Sequence, residues 1–191
     1  MNDPFGEVPA LPIVVPLGAL VFVLLCWRLH ARGRFSLPRA AVAAALGVFV
    51  AGIAANTVFP VFLRAPAHPA PWWSGVVLAP FADYEMEDAL TNVIVFVPLG
   101  ILIPLLLRRP RWWRVVITVV GTSLAIELTQ LAVQDLAGGG HVADVNDLIF
   151  NTLGGVIGYG LLLLFGLLPG GERILERFRW SDGDGRSPAA I

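Results

Sequence analysis

Glu127 sits inside a long apolar run, WWRVVITVVGTSLAIELTQLAV, with Ser123 four residues before it and Gln130 three residues after. On a helix those spacings place the three polar side chains on one face. A second set, Asp144, Asp147 and Asn151, has the spacings in reverse order and opens the run DVNDLIFNTLGGVIGYGLLLLF. Asn92 lies near the start of a third run, DALTNVIVFVPLGILIPLLL. A carboxylate in such surroundings can work as a general base, relay a proton or accept hydrogen bonds from a ligand. An ionised carboxylate near mid-membrane costs at least about 2.5–3.5 kcal/mol on insertion scales, which makes Glu127 the sharpest single candidate. Of the cations expected on the same side as it, His141, His68, Arg64 and the N-terminus, His141 is the nearest in sequence. The candidate polar cluster is therefore Asn92, Ser123, Glu127, Gln130, His141, Asp144, Asp147 and Asn151.

A plainer role is open to the same residues. Interhelical hydrogen bonds inside a membrane contribute about 0.6 kcal/mol on average, and Asp144 or Asp147 would cap a helix N-terminus. Three carboxylates and one His on separate segments match no recognised ligand spacing, so no metal site is expected. Ser123 as a nucleophile would need a neighbouring base, and the one nearby His is on a loop. The sequence shows no nucleophile or cofactor motif, which leans away from an enzyme, and no cofactor is expected. The single Cys26 excludes an internal disulfide and any multi-cysteine metal site.

The elements that must position these residues follow from composition. Of the 191 residues, 57% are hydrophobic and only 14% are charged, with a mean hydropathy of +0.76; soluble domains carry about 25% charged residues. The chain is expected to be an all-α, polytopic transmembrane bundle. Five runs are long enough to span: Val8 to Trp27, Ala40 to Leu63, Ala89 to Leu107, Val115 to Val133 and Asp147 to Leu168. Gly47, Ala51 and Ala55 in the second, and Gly154 and Gly158 in the fifth, have the small-xxx-small spacing of close helix contacts. Pro98, Gly100 and Pro104 fall inside the third, where they could kink it. The stretch Trp72 to Phe81 is too short to span and reads as an interfacial or shallow re-entrant segment. Asp83, Glu85, Glu87 and Asp88 read as a solvated charge run.

All 13 basic residues are Arg. With five spans, Arg28, Arg32, Arg34 and Arg39, then Arg108, Arg109, Arg111 and Arg114, then Arg173, Arg177, Arg179 and Arg186 fall on one side, and Arg64 alone on the other. The positive-inside rule then places the N-terminus outside and the C-terminus in the cytoplasm. Glu127 is about twelve residues, or roughly 18 Å, from the cytoplasmic end of its helix. It therefore shares the outer half of the membrane with Asn92, Asp144, Asp147 and the pair Asn56 and Thr57, and these groups could line one pocket open to the exterior. A net charge of −1 gives no reason to expect a nucleic-acid partner.

The strings VVLAPF, NVIVFVPLGILIPLL, SLAIELTQL and DVNDLIFNTLGGVIGY together resemble the VanZ-like family of bacterial membrane proteins, over Val76 to Phe165. Asn92, Pro98, Gly100, Glu127, Gln130, Asp147, Asn151 and Gly154 stand at the motif positions. Members often carry Arg shortly before the Asp cluster, where this chain has His141, a departure that weakens any fixed ion pair with Glu127. The resemblance implies a multi-pass protein of the cytoplasmic membrane and cell envelope. It also implies a link to resistance against the glycopeptide teicoplanin, which acts outside that membrane. The expected organisation is two N-terminal transmembrane helices and the start of an outer loop over 1–70, a VanZ-like domain over 71–168, and a disordered cytoplasmic tail over 169–191.

Three functions are compatible with these observations. In the first, an outward polar pocket holds a lipid-linked envelope precursor or a glycopeptide headgroup, with the bilayer as the other partner. In the second, an intramembrane enzyme acts on an envelope lipid or cell-wall precursor, with Glu127 as general base and Asp147 orienting water or substrate. The third is a proton-coupled transporter, against which stands the lack of a visible internal repeat.

Overall fold

The computed structural model describes residues 6–64, 75–81, 85–107, 110–137 and 142–180. Five helices are long and apolar enough to cross a membrane: α1 (Leu11–Ala31), α2 (Leu37–Val58), α3 (Met86–Leu106), α4 (Trp112–Ala137) and α5 (Val145–Leu167). Two short strands, β1 (Val76–Val77) and β2 (Ala143–Asp144), and a terminal helix, α6 (Gly171–Phe178), complete the described elements. This is the expected all-α, multi-pass bundle.

Local chemistry sets the helix ends. Ser36 caps α2, its Oγ accepting from the Arg39 N–H at 3.4 Å, with proline in the first turn where a missing N–H costs nothing. α2 stops at Val58 rather than running on to Leu63, because Phe59 precedes Pro60 and is held extended (φ −104°, ψ 148°). α1 starts later than its apolar run. Residues 6–8 instead pair with the segment after α2, through a Glu7–Phe62 bridge and a 2.9 Å bond from the Val8 N–H to the Val61 carbonyl. α1 runs on to Ala31, and Gly33 (φ +63°) ends it: the Gly33 and Arg34 N–H groups donate to the His30 and Leu29 carbonyls. The helix runs unbroken through Pro98 and Pro104 in α3.

α3 and α5 form the most extensive interface, running side by side in the same direction. A Cβ on Gly154 would strike the Val93 carbonyl oxygen and one on Gly158 the Val97 carbonyl oxygen. The GxxxG pair is thus a packing device: the missing side chains let the two backbones touch. α4 crosses the other side of α5 antiparallel, with Val119 against Gly155. A core of Phe96, Leu99, Ile103, Val115 and Val119 joins α3 to α4, with Phe49 of α2 edge-on to Phe96 at 6.3 Å. α1 packs on α2 through Gly18 and Gly47, whose backbones leave no room for a Cβ on either.

The expected disordered tail over 169–191 is corrected at its start, since residues 171–178 form α6 and the ordered chain continues to Trp180. Leu175 is buried against Val42, Leu102, Leu105 and Leu162, and Phe178 and Trp180 pack beside them. The Trp180 N–H donates to the Leu105 carbonyl at 2.9 Å, Arg39 Nε to the Arg179 carbonyl at 2.7 Å and Arg34 Nη1 to the Trp180 carbonyl at 3.2 Å. Arg179 also pairs with Glu172. So few apolar residues among so many charges hide this helix in the sequence; its stability comes from docking rather than propensity. Arg39→Gln should release it, with a loss of about 1.5–3 kcal/mol for a hydrogen-bonded charge, read as faster amide exchange confined to 171–180. Residues 181–191, Trp72 and Trp73 lie outside the described residues.

Candidate functional site

The N-terminus of α5 gathers the polar residues. Asp144 is its N-cap, and Oδ1 accepts from the Asn146 N–H at 2.8 Å and from Asn146 Nδ2 at 2.9 Å. The Asp144 N–H in turn donates to Glu127 Oε2 of α4 at 3.0 Å. Glu127 is only 6% exposed, and this bond ties α4 to the strand and cap that lead into α5. On the far side of α5, Asn92 Nδ2 of α3 donates to Asp147 Oδ1 at 2.6 Å. One turn deeper, Asn151 Nδ2 donates to Ser123 Oγ of α4 at 3.0 Å, with both side chains buried.

Of the expected cluster, the structure brings together Asn92, Asp144 and Asp147 on the wall of one pocket, with Glu127 directly behind Asp144. Ser123 and Asn151 form a separate pair in the bundle interior. Gln130 is 8% exposed, and its Oε1 has no partner among the described residues. His141 lies outside the described residues. Asp147 and Asn151, four residues apart, do not serve one partner: α5 is wedged between α3 and α4, so one reaches each neighbour. Among the described residues Ser123 has no base as a hydrogen-bond partner; Asn151 holds its side chain.

The pocket has a volume of about 360 Å³ and is lined by Asn56, Asp88, Thr91, Asn92, Val142, Asp144 and Asp147. In the sequence Asp88 reads as part of a solvated charge run and Thr91 is not among the candidates, yet both stand on this wall. The signal was available for Asp88, which stands four residues before Asn92 on the same helical face. Asn146 was also missed; it is fully buried, and its Oδ1 accepts from the Phe81 N–H at 2.7 Å. With β1 pairing parallel to β2 (Val76 with Ala143, Val77 with Asp144), it fixes the 75–81 segment against the cap of α5. No local pattern announces that contact, because the two segments are far apart in sequence.

Carboxylates are acceptors only, so a pocket walled by three of them favours ligand groups that donate hydrogen bonds or carry positive charge. No group of three or more metal-ligating side chains is found among the described residues.

The VanZ/LLP1 family model matches residues 56–166, which is more than half of the chain and includes every described wall residue of the pocket. The chain belongs to the VanZ/LLP1 family. The matched region begins at Asn56, near the end of α2, so the family unit takes in a wall residue that the recognisable strings from Val76 onward leave out. Within it lie the VanZ/LLP1 helices α3, α4 and α5, while α1, most of α2 and α6 fall outside. No curated protein and no solved structure matches the chain.

Proposed function

We propose that this VanZ/LLP1 protein lies in the bacterial cytoplasmic membrane with its acidic pocket facing outward. There it binds the hydroxyl- or amine-bearing headgroup of an envelope lipid or a glycopeptide such as teicoplanin. The observation that carries this reading is the wall itself: Asp88, Asp144 and Asp147, with Asn56, Thr91 and Asn92, surround one recess at one end of the bundle. Sugar hydroxyls and ammonium groups donate to such a wall, whereas the pyrophosphate of a lipid-linked precursor would be repelled by it. The outward placement is supported by the Arg residues clustered at the opposite end. Glu127 acts as a positioning group, holding the Asp144 backbone in place.

The test is equilibrium binding of teicoplanin to the purified full-length protein in nanodiscs. Asp88→Asn and Asp147→Asn should each weaken binding by about tenfold or more, since a hydrogen bond to a charged group contributes about 1.5–3 kcal/mol. In cells expressing each variant at matched membrane abundance, protection against teicoplanin should fall in parallel. Unchanged affinity in both variants would show that the pocket is not the binding site.

A further inference from the structure

The opposite end of the bundle has a second recess, unrelated to the acidic pocket. It is a hollow of about 390 Å³ on the last turns of α1, lined by Leu24, Leu25, Trp27, Arg28, Ala31 and Arg32. Arg28 and Arg32 are four residues apart and so stand one above the other on the same face. Both are exposed, and neither guanidinium has a hydrogen-bond or ion-pair partner among the described residues. The final carbonyls of α1 are met by backbone N–H groups at Gly33 and Arg34, so the helix end itself makes no demand on these side chains. Trp27 is 68% exposed and Leu24 50% exposed, and α1 packs mainly on α2, which leaves this face to the bilayer.

We propose that this recess is a binding site for an anionic phospholipid, its phosphate held by Arg28 and Arg32 and an acyl chain laid along Leu24 and Leu25. The order of chemistry along the helix matches the order in such a lipid: aliphatic side chains, then an indole at headgroup level, then paired cations. Among the described residues no acid lines the recess to offset the two positive charges. Guanidinium forks suit phosphate oxygens, and each basic residue at a membrane surface adds several-fold to affinity for anionic lipid. A zwitterionic lipid brings no net charge to this pair and should bind far less well.

The experiment titrates phosphatidylglycerol, phosphatidylcholine or inorganic phosphate into the full-length protein in neutral detergent, following the thermal midpoint and counting bound lipid by native mass spectrometry. Three proteins are compared: wild type, Arg28→Gln/Arg32→Gln, and Arg173→Gln/Arg177→Gln. The last removes the same charge from the exposed face of α6. All four residues are exposed, so every variant should fold. Phosphatidylglycerol should raise the wild-type midpoint saturably, with lipid retained on the chain. The α1 variant should weaken its apparent affinity by roughly tenfold or more, and the α6 variant should change it little. Equal loss in both variants would mean diffuse surface charge and overturn the site. Equal stabilisation by phosphatidylcholine, or full stabilisation by inorganic phosphate, would overturn the assignment to an anionic lipid.

Discussion

Gly158→Ala is expected to destabilise the folded bundle by about 1–3 kcal/mol, the cost typical of forcing one extra carbon into a close-packed contact. Gly158→Leu should leave little folded protein. The added Cβ would meet the Val97 carbonyl oxygen, its carbon and the Val97 Cα, all main-chain atoms of α3. A side chain could rotate aside; a helix backbone cannot, so α3 and α5 would have to separate along their length. That separation would also part Asn92 from Asp147, which bridge the same two helices nearer the pocket. Gly160→Ala is the control, since a Cβ there meets nothing within 4 Å. Reversible unfolding in mixed micelles should place Gly160→Ala at wild-type stability and Gly158→Ala clearly below it. If the two behave alike, backbone contact between α3 and α5 is not what holds this pair together.

Glu127 gives the second large effect, and here two substitutions should diverge. Glu127→Leu removes the acceptor of the Asp144 N–H. That leaves a part-buried backbone donor without its partner, at a cost of about 1–3 kcal/mol. The segment carrying Val142 and Asp144 would loosen, and with it part of the pocket wall. Glu127→Gln keeps an amide oxygen at the same reach and should fold nearly as well as wild type. Thermal midpoints and teicoplanin binding, measured on both variants, separate the roles. Loss of both properties in Leu with retention in Gln is the result expected of a positioning acceptor. Loss of binding in Gln with normal stability would assign the function to the carboxylate charge itself.

The sequence by itself determined the class and the spans. Five apolar runs of sufficient length, with Arg concentrated on alternate connections, admit little besides a five-helix membrane bundle, and five such helices are present. It also placed Ser123, Glu127 and Gln130 on one face and offered Asp144 or Asp147 as a helix cap, because those follow from local geometry; the fold chose Asp144. Only the tertiary structure decided which polar group meets which. None of the five long helices carries a pronounced apolar stripe. Lipid tails are as apolar as Leu, so a membrane helix need not mark the side on which its neighbours lie. For that reason the wedging of α5 between α3 and α4, which sends Asp147 to Asn92 and Asn151 to Ser123, could not be read from spacing alone. The recruitment of Asp88 and Thr91 to the pocket and the docking of α6 through Leu175 and Trp180 depend likewise on contacts between segments distant in sequence. Hydrophobicity fixes what enters the bilayer, whereas the missing side chains of Gly154 and Gly158 and a few hydrogen bonds fix how the helices meet inside it.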